Sequence, residues 1–410
     1  MPFNRRDVLK ALSLAATSPL LTRCEGALSQ QPQRLSTTLE QTAEGEWVRS
    51  FSGPAVPQNL EFLDEVTKRE RRLHDLFPSS TNPFTIDTAA QLGAGGYGLS
   101  IVDRTAMGEV PSAADPPWAL NMVPFGVAID GVIIDPSGPW YDGGPADPQN
   151  PFDRACSGWE YDPIFPTVAS LVGVPAQVRG HVQPGPGARS GSPGLFHYHG
   201  VPRLMLAALR ASLPEHEKQT VLVLGYSADG FLIIDSVVEA GANTTGQRLH
   251  LFSGYVLRDG ERMPVSRTNP ALVPPGTFDG TFVQDWRFDP VLKRASIEQV
   301  LRERGEYLGL LASDVAAGTA TFQLLDERNG LVTDALRLAQ TTTRSWAYVL
   351  TPDWPEVPRW FAREPSASFR SAIIPLDEPA ARPAPGRRQL YTACSEALAD
   401  VHVWHGRPPY

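Results

Sequence analysis

The sequence has little lysine, little cysteine and no long apolar run. Its 410 residues include 36 Lys and Arg against 45 Asp and Glu, which gives a formal net charge of −9. The basic residues form no cluster, and this argues against a nucleic-acid partner. No run of about 18 apolar residues is present, so no membrane span is expected. Whether Cys156 and Cys394 form a disulfide is left open.

Apolar residues, glycine and proline are abundant. Hydrophobic residues make up 42% of the chain, which excludes a disordered protein. The 35 Gly and 39 Pro predict many short elements joined by tight turns. Short β-branched runs between these turns predict strands, and amphipathic spacing predicts helices at 60–76, 202–213 and 291–307. The predicted fold class is therefore mainly β with peripheral helices.

The first 29 residues have the features of an export signal. Arg5, Arg6 and Lys10 precede an apolar run at 11–21, and small residues follow at 27–29. This order is typical of a Tat signal peptide cleaved by signal peptidase. The sequence thus predicts recognition by the Tat translocase and a periplasmic or secreted protein.

Two segments share a pattern that predicts an internal duplication. Residues 125–134 align with 224–233, and both contain a Gly followed four residues later by Asp-Gly. Farther along, 196–202 and 346–352 share an aromatic-x-Tyr-x-x-x-Pro pattern. Because the motifs occur twice in the same order, we expect two related β-rich halves.

The chain is accordingly divided into five segments. These are 1–29, the Tat signal peptide; 30–83, a polar leader and surface helix; 84–213, the first β-rich half; 214–365, the second β-rich half; and 366–410, a Pro-rich linker and C-terminal tail.

The shared Asp-Gly pairs are predicted to form type I′ hairpin turns, which need a positive φ at both central residues. Asp130 and Asp229 are then turn residues first. The alternative is that one of these carboxylates also faces a site and accepts a proton there.

Histidine spacing gives the strongest chemical signal. His197 and His199 flank Tyr198 in a segment predicted to be a strand, and alternate residues of a strand project from one face. His181 precedes a turn-rich segment that can bring a third imidazole alongside. Three imidazoles suit copper, zinc or iron, so His181, His197 and His199 are candidate metal ligands. The alternative is a polar β-face carrying unliganded histidines.

Five motifs in order resemble the YHYH domain family of exported proteins. They are His181-Val-Gln-Pro, Leu195-Phe-His-Tyr-His-Gly-Val-Pro, Leu224-Gly-Tyr-Ser-Ala-Asp-Gly-Phe, Leu325-Asp-Glu-Arg-Asn-Gly and Trp346-Ala-Tyr-Val-Leu-Thr. The resemblance covers about 123–360. It implies an exported β-rich domain and no established reaction.

The chain departs from the family pattern in several places. Phe196 replaces the first Tyr of the motif, and Arg328 replaces a Cys. An Asn-His pair expected before His181 is absent, and the helical segment 291–307 resembles an insertion. A diverged member is therefore expected, with the three candidate ligands retained.

Other residues suggest rival functions. Trp140, Tyr141 and Trp159 lie near predicted turns, where aromatic rings can stack on a glycan or another small molecule, so a non-enzymatic binding module is one alternative. Ser227 lies in a segment similar to a nucleophile elbow, although Asp229 breaks that pattern, and a serine hydrolase is a weaker alternative. Whether the protein is an enzyme is left open.

One further cluster offers oxygen ligands. Asp326, Glu327 and Asn329 lie close together before a glycine, and they suit either a Ca²⁺ site or a capped turn. The cluster lacks the length and alternation of an EF-hand loop, which favours the turn.

Overall fold

The computed structural model describes residues 35–54, 91–92, 99–115, 118–120, 123–138, 159–172, 174, 176–183, 195–212, 221–239, 247–262, 273–332 and 345–371. Several predictions lie outside the described residues. They are the signal peptide at 1–29, the helix at 60–76, the aromatic residues Trp140 and Tyr141, both cysteines Cys156 and Cys394, and the tail from 378 onward.

Short strands dominate the described part of the chain. In chain order they are β1 (Ser36–Gln41), β2 (Trp47–Pro54), β3 (Gln91–Leu92), β4 (Ser100–Val102), β5 (Trp118–Ala119), β6 (Gly126–Ala128), β7 (Ile133–Ile134), β8 (Gly180–Gln183), β9 (Leu195–Tyr198), β10 (Val223–Ser227), β11 (Leu232–Asp235), β12 (Val237–Glu239), β13 (Arg248–Phe252), β14 (Tyr255–Leu257), β15 (Trp286–Phe288), β16 (Glu306–Tyr307), β17 (Leu310–Leu311), β18 (Ala320–Leu324), β19 (Gly330–Val332), β20 (Trp346–Leu350) and β21 (Trp360–Phe361).

The helices are fewer and mostly short. They are α1 (Pro166–Val172), α2 (Arg203–Ser212), α3 (Pro290–Arg304), α4 (Ala312–Ala316) and α5 (Ala367–Ser371). The fold class, mainly β with peripheral helices, is thus confirmed, as are the helices predicted at 202–213 and 291–307. No described helix has the length and apolarity needed to cross a membrane.

Helix α3 has a capping residue at each end. The side chain of Asp289 accepts a hydrogen bond from the Leu292 N–H at its start. Gly305 ends it in the left-handed conformation, with φ of 71°. The residues it buries include Ile297 and Leu301.

One sheet of eight described strands carries the candidate site. Its order is β19, β20, β11, β10, β6, β7, β9 and β8. The smaller sheets lie outside it: β1 to β4 form one, β12, β13 and β18 another, and the remaining strands pair as β14–β15, β16–β17 and β5–β21.

The hydrogen-bonding pattern of this sheet is the same when read outward from its centre in either direction. Strands β6 and β10 pair antiparallel in the middle, and each continues through a hairpin into β7 or β11. Strand β7 then pairs parallel with β9, as β11 does with β20. The outermost pairs, β8–β9 and β19–β20, are antiparallel. The two halves share one topology, and their origin by duplication stays a prediction.

The central strands approach closely because both carry glycine. A Cβ atom at Gly126 would lie 2.3 Å from the Tyr226 carbonyl oxygen, and one at Gly225 would lie 2.3 Å from the Val127 carbonyl oxygen. No other residue fits at either position without separating the strands. The alignment of Gly126 with Gly225 thus has a packing reason.

Large apolar side chains fill the space on one side of this sheet. Phe125, Phe196, Tyr198, Tyr348 and Phe361 are all buried and belong to one continuous core. The Phe125 ring stacks on Phe361 at 5.5 Å and meets Tyr348 edge-on at 4.9 Å. This aromatic packing joins the two halves.

The type I′ prediction for the Asp-Gly turns is wrong. In the first hairpin the Gly131 N–H donates to the Ala128 carbonyl, and the Ala128 N–H donates to the Val132 carbonyl. The second hairpin has the same pattern, because the Gly230 N–H donates to the Ser227 carbonyl and the Ser227 N–H donates to the Phe231 carbonyl. Among the described residues, positive φ is found at the two glycines but not at Asp130 or Asp229. Each loop therefore has one more residue than predicted, with the glycine in the bulge position.

Gly230 gives a direct test of the hairpin packing. Its φ is 96°, and an added Cβ would lie 1.9 Å from the Val102 carbonyl oxygen, so Gly230→Ala should lower the free energy of unfolding by about 3 kcal/mol. Gly260→Ala is the matched control, because its φ of 98° is similar and nothing lies within 4 Å of its Cβ position. We expect the control to cost about 1 kcal/mol. Equal losses in urea unfolding would contradict the role of the Val102 contact.

Candidate metal centre

Two neighbouring strands position the histidines. Strands β8 and β9 pair antiparallel with His181 directly opposite His197. His199 follows the end of β9, and its backbone N–H donates to the Arg179 carbonyl at 2.7 Å. Tyr198 lies between the two histidines and points to the opposite face, into the aromatic core. The predicted arrangement of the three histidines is thus present.

The three imidazoles converge through the same ring atom. Nε2 of His199 lies 3.0 Å from Nε2 of His197 and 3.0 Å from Nε2 of His181. Ligand atoms of all three lie within 4.8 Å of one another. Metal–nitrogen bonds of about 2.0 Å in tetrahedral geometry separate two ligand nitrogens by about 3.3 Å. The spacing therefore fits three ligands of one ion.

Hydrogen bonding alone accounts poorly for this convergence. A neutral imidazole nitrogen carries either one hydrogen or one lone pair, so His199 Nε2 can make a linear hydrogen bond to one neighbour at a time. It has two at 3.0 Å. A cation accepting lone pairs from all three nitrogens satisfies both contacts together.

Burial favours the neutral form of His199. His197 and His199 are buried, whereas His181 is partly exposed. The pKa of His199 lies well below its usual value, first because of burial and then because of the neighbouring His197, His181 and Arg359. A neutral imidazole has the free lone pair that a metal ligand needs.

Carboxylates and one arginine surround this region. Asp135 follows β7, and the β7–β9 register continued by one residue places it beside His199. Arg359 donates to the Pro136 carbonyl and, at 3.0 Å, to Asp162. Glu160 accepts from the Gly138 N–H at 2.7 Å. Burial, with the nearby charges of Asp135 and Asp162, raises the pKa of Glu160 to about 7 despite Arg359.

These neighbours were not predicted from the sequence. Asp135 follows a strand that pairs with the His-Tyr-His segment. Once that pairing is known, the position of Asp135 predicts that it lies near the histidines. Nothing in the sequence near Arg359 or Glu160 points to the histidines, because the chain reaches this region from distant segments.

The corresponding positions in the second half are apolar. Leu331 lies opposite Ala347 as His181 lies opposite His197, and Val349 takes the position of His199. Leu331, Ala347 and Val349 are all buried in a hydrophobic cluster. The same backbone arrangement therefore carries candidate metal ligands in one half and apolar side chains in the other.

Asp130 and Asp229 lie on the other side of the sheet from the histidines. Asp130 accepts from the Tyr198 hydroxyl at 2.8 Å, and Asp229 accepts from the Tyr348 hydroxyl at 2.7 Å. Asp229 also accepts from the backbone N–H groups of Ala362 and Arg363. Both are turn residues whose carboxylates accept a hydrogen bond from a core tyrosine. These hydrogen bonds do not bring either carboxylate to the candidate ligands.

Ser227 has a structural environment. Its side chain is fully buried, and its hydroxyl donates to Asp229 at 2.5 Å while accepting from the Phe231 N–H at 3.0 Å. The hydroxyl stabilises the hairpin turn through these hydrogen bonds and is inaccessible to a substrate. Both observations argue against a serine nucleophile.

The oxygen-rich cluster at 326–329 forms a turn. One carboxylate oxygen of Asp326 accepts from the backbone N–H groups of Arg328 and Gly330, at 2.9 and 2.8 Å, and the other accepts from the Trp346 indole. Asn329 has a left-handed conformation, with φ of 55°. The turn interpretation accounts for these groups without Ca²⁺.

Comparison with known proteins places this site in a family. Residues 106–299 match the family model described as YHYH protein. These residues form a YHYH domain. The match includes all three histidines and the β10–β11 hairpin, whereas the motifs at 325–330 and 346–351 lie beyond it. No curated protein and no solved structure matches the chain.

The raised pKa of Glu160 predicts a pH dependence of stability. Between pH 4.5 and about 7 the unfolded chain ionises this group while the folded protein keeps it protonated, so stability falls as pH rises. The loss amounts to about 3 kcal/mol across that window. Glu160→Gln should remove this part of the decline in urea unfolding with a chelator present. A difference between the two proteins that is constant with pH would contradict the assignment.

Proposed function

We propose that this chain is an exported protein whose YHYH domain binds a transition metal ion through His181, His197 and His199. The convergence of three Nε2 atoms, with two contacts of 3.0 Å at His199, carries the proposal. Histidines on a polar β-face without a metal do not require three Nε2 atoms to converge, because each side chain in such a face can bond to a different partner.

The donor set limits the metal to a few candidates. Three imidazole nitrogens suit zinc, copper and iron, and they are less suited to calcium and magnesium, which prefer oxygen. Three protein ligands leave a coordination position for water or another small molecule, where a bound ion acts as a Lewis acid or activates water.

Export is supported by the twin-arginine segment at Arg5 and Arg6 and the apolar run at 11–21. The Tat translocase moves folded proteins, so a metal can be bound before transport. This order would fix the choice of metal in the cytoplasm and leave the loaded protein in the periplasm or outside the cell.

The observations favour metal binding over an aromatic ligand platform. Trp159, one of the rings suggested for stacking, is only 3% exposed. Among the described residues, Trp118 is the exposed aromatic side chain. A glycan platform usually presents several coplanar exposed rings, so this alternative has less support.

Metal content tests the proposal directly. Wild-type protein from its native host should carry about one equivalent of zinc, copper or iron per chain, and the His197→Ala/His199→Ala variant should lose it. His250→Ala is the matched control, because His250 is partly buried outside this cluster and should leave the metal content unchanged. His181→Ala tests the third ligand separately, and it disturbs the core less because His181 is partly exposed. Equal trace metal in all four proteins would overturn the proposal.

Localisation tests the export half of the proposal. The Arg5→Lys/Arg6→Lys variant keeps both charges but should be retained in the cytoplasm as the uncleaved precursor. Arg23→Lys, placed after the apolar run, is the control and should be exported. Cell fractionation with an immunoblot measures this, and normal periplasmic levels of the double variant would rule out Tat export.

A further inference from the structure

A buried carboxylate from the second half reaches the segment that carries His199. Glu356 is 4% exposed and lies in the loop after β20. Its Oε2 accepts from the Val201 N–H at 3.0 Å, two residues after His199. Its Oε1 accepts from Arg179 at 2.5 Å and from Arg203 at 3.1 Å.

Arg179 transmits this contact to His199 through its backbone. The Arg179 carbonyl accepts from the N–H groups of His199 and Gly200, at 2.7 and 3.2 Å. The residue has φ of 57°, a left-handed conformation that residues other than glycine rarely adopt. The ion pair with Glu356 holds the side chain of this residue. One carboxylate therefore bonds the backbone after His199 directly, at Val201, and also holds the residue whose carbonyl accepts from His199.

Gly200 is the residue that permits this approach. A Cβ atom there would lie 2.5 Å from the Glu356 Oε2 atom, which is closer than real contacts allow. The glycine that ends the His-Tyr-His-Gly sequence is thus matched to the carboxylate.

The second half fixes its own equivalent segment differently. Asn329 takes the position of Arg179, with φ of 55°, and its carbonyl accepts from the Val349 N–H at 2.8 Å. Its side-chain amide donates to Thr351 and to the Pro355 carbonyl, both within the same half. The two equivalent segments therefore differ: the one with the histidines contacts a carboxylate of the other half, whereas Asn329 bonds within its own half.

We infer that Glu356 is a positioning residue for the metal centre: it holds His199 so that the three imidazoles are arranged before the ion arrives. This inference rests on the proposed metal binding. Groups that orient metal ligands typically change metal affinity by 10- to 100-fold when removed. Glu356→Ala should therefore weaken Zn²⁺ binding about tenfold or more.

The test compares three variants as purified, metal-free chains. Zn²⁺ affinity is measured by competition with a chelating dye, and the visible spectrum of bound Co²⁺ reports the ligand geometry. Glu356→Gln keeps an oxygen for the Val201 N–H and should recover part of the affinity lost in Glu356→Ala. Asp353→Asn is the matched control, because it disrupts a buried ion pair with Lys293 at 2.6 Å in the same loop without touching the His199 segment.

The outcomes separate this inference from the proposed function. No Zn²⁺ binding by the wild type overturns both. If the wild type binds and Glu356→Ala binds equally well with an unchanged Co²⁺ spectrum, the positioning role is wrong and the metal site stands. If Asp353→Asn weakens binding as much as Glu356→Ala, general loosening of the loop is the cause and the inference fails. Where Glu356→Ala does not fold, Glu356→Gln and Gly200→Ala supply the same comparison.

Discussion

The close antiparallel contact between β6 and β10 is the constraint on which the rest of the sheet depends. Gly126 and Gly225 let two backbones meet at the centre, and a Cβ atom at either position would collide with the opposing strand. Each half extends outward from this contact by the same sequence of antiparallel and parallel pairs. The contact sets the position of β7, β7 sets β9, and β9 carries His197, so the site is held in register with the middle of the sheet.

The sequence was sufficient for the parts of the site that obey local rules. Alternation in a short strand predicted that His197 and His199 share a face, and the cross-strand position of His181 agrees with the predicted third ligand. It was insufficient for Glu356, since this residue is 155 positions from its partner Val201 and no periodicity links them. The turn type was also mispredicted, because Asp-Gly suits two hairpin loops and the choice depends on how the flanking strands pair.

The contrast between the halves suggests how the two tasks are divided. Leu331, Ala347 and Val349 take the equivalent positions to the three histidines and pack as ordinary core. Their half contributes apolar stability and the loop with Glu356, whereas the other half accommodates the polar cluster. Burying the imidazoles of His197 and His199 costs stability unless they are satisfied by a partner, and the apolar packing of the other half offsets that cost.

The position of Glu356 in the chain has a consequence for biosynthesis. The His-Tyr-His segment emerges from the ribosome long before Glu356, which contacts it in the folded protein. Its neighbour β7 belongs to a sheet that also contains β20, which is translated much later. Such distant pairings form slowly. The contact between Glu356 and the segment that carries His199 therefore forms only after residue 356 has been translated, well after the three histidines.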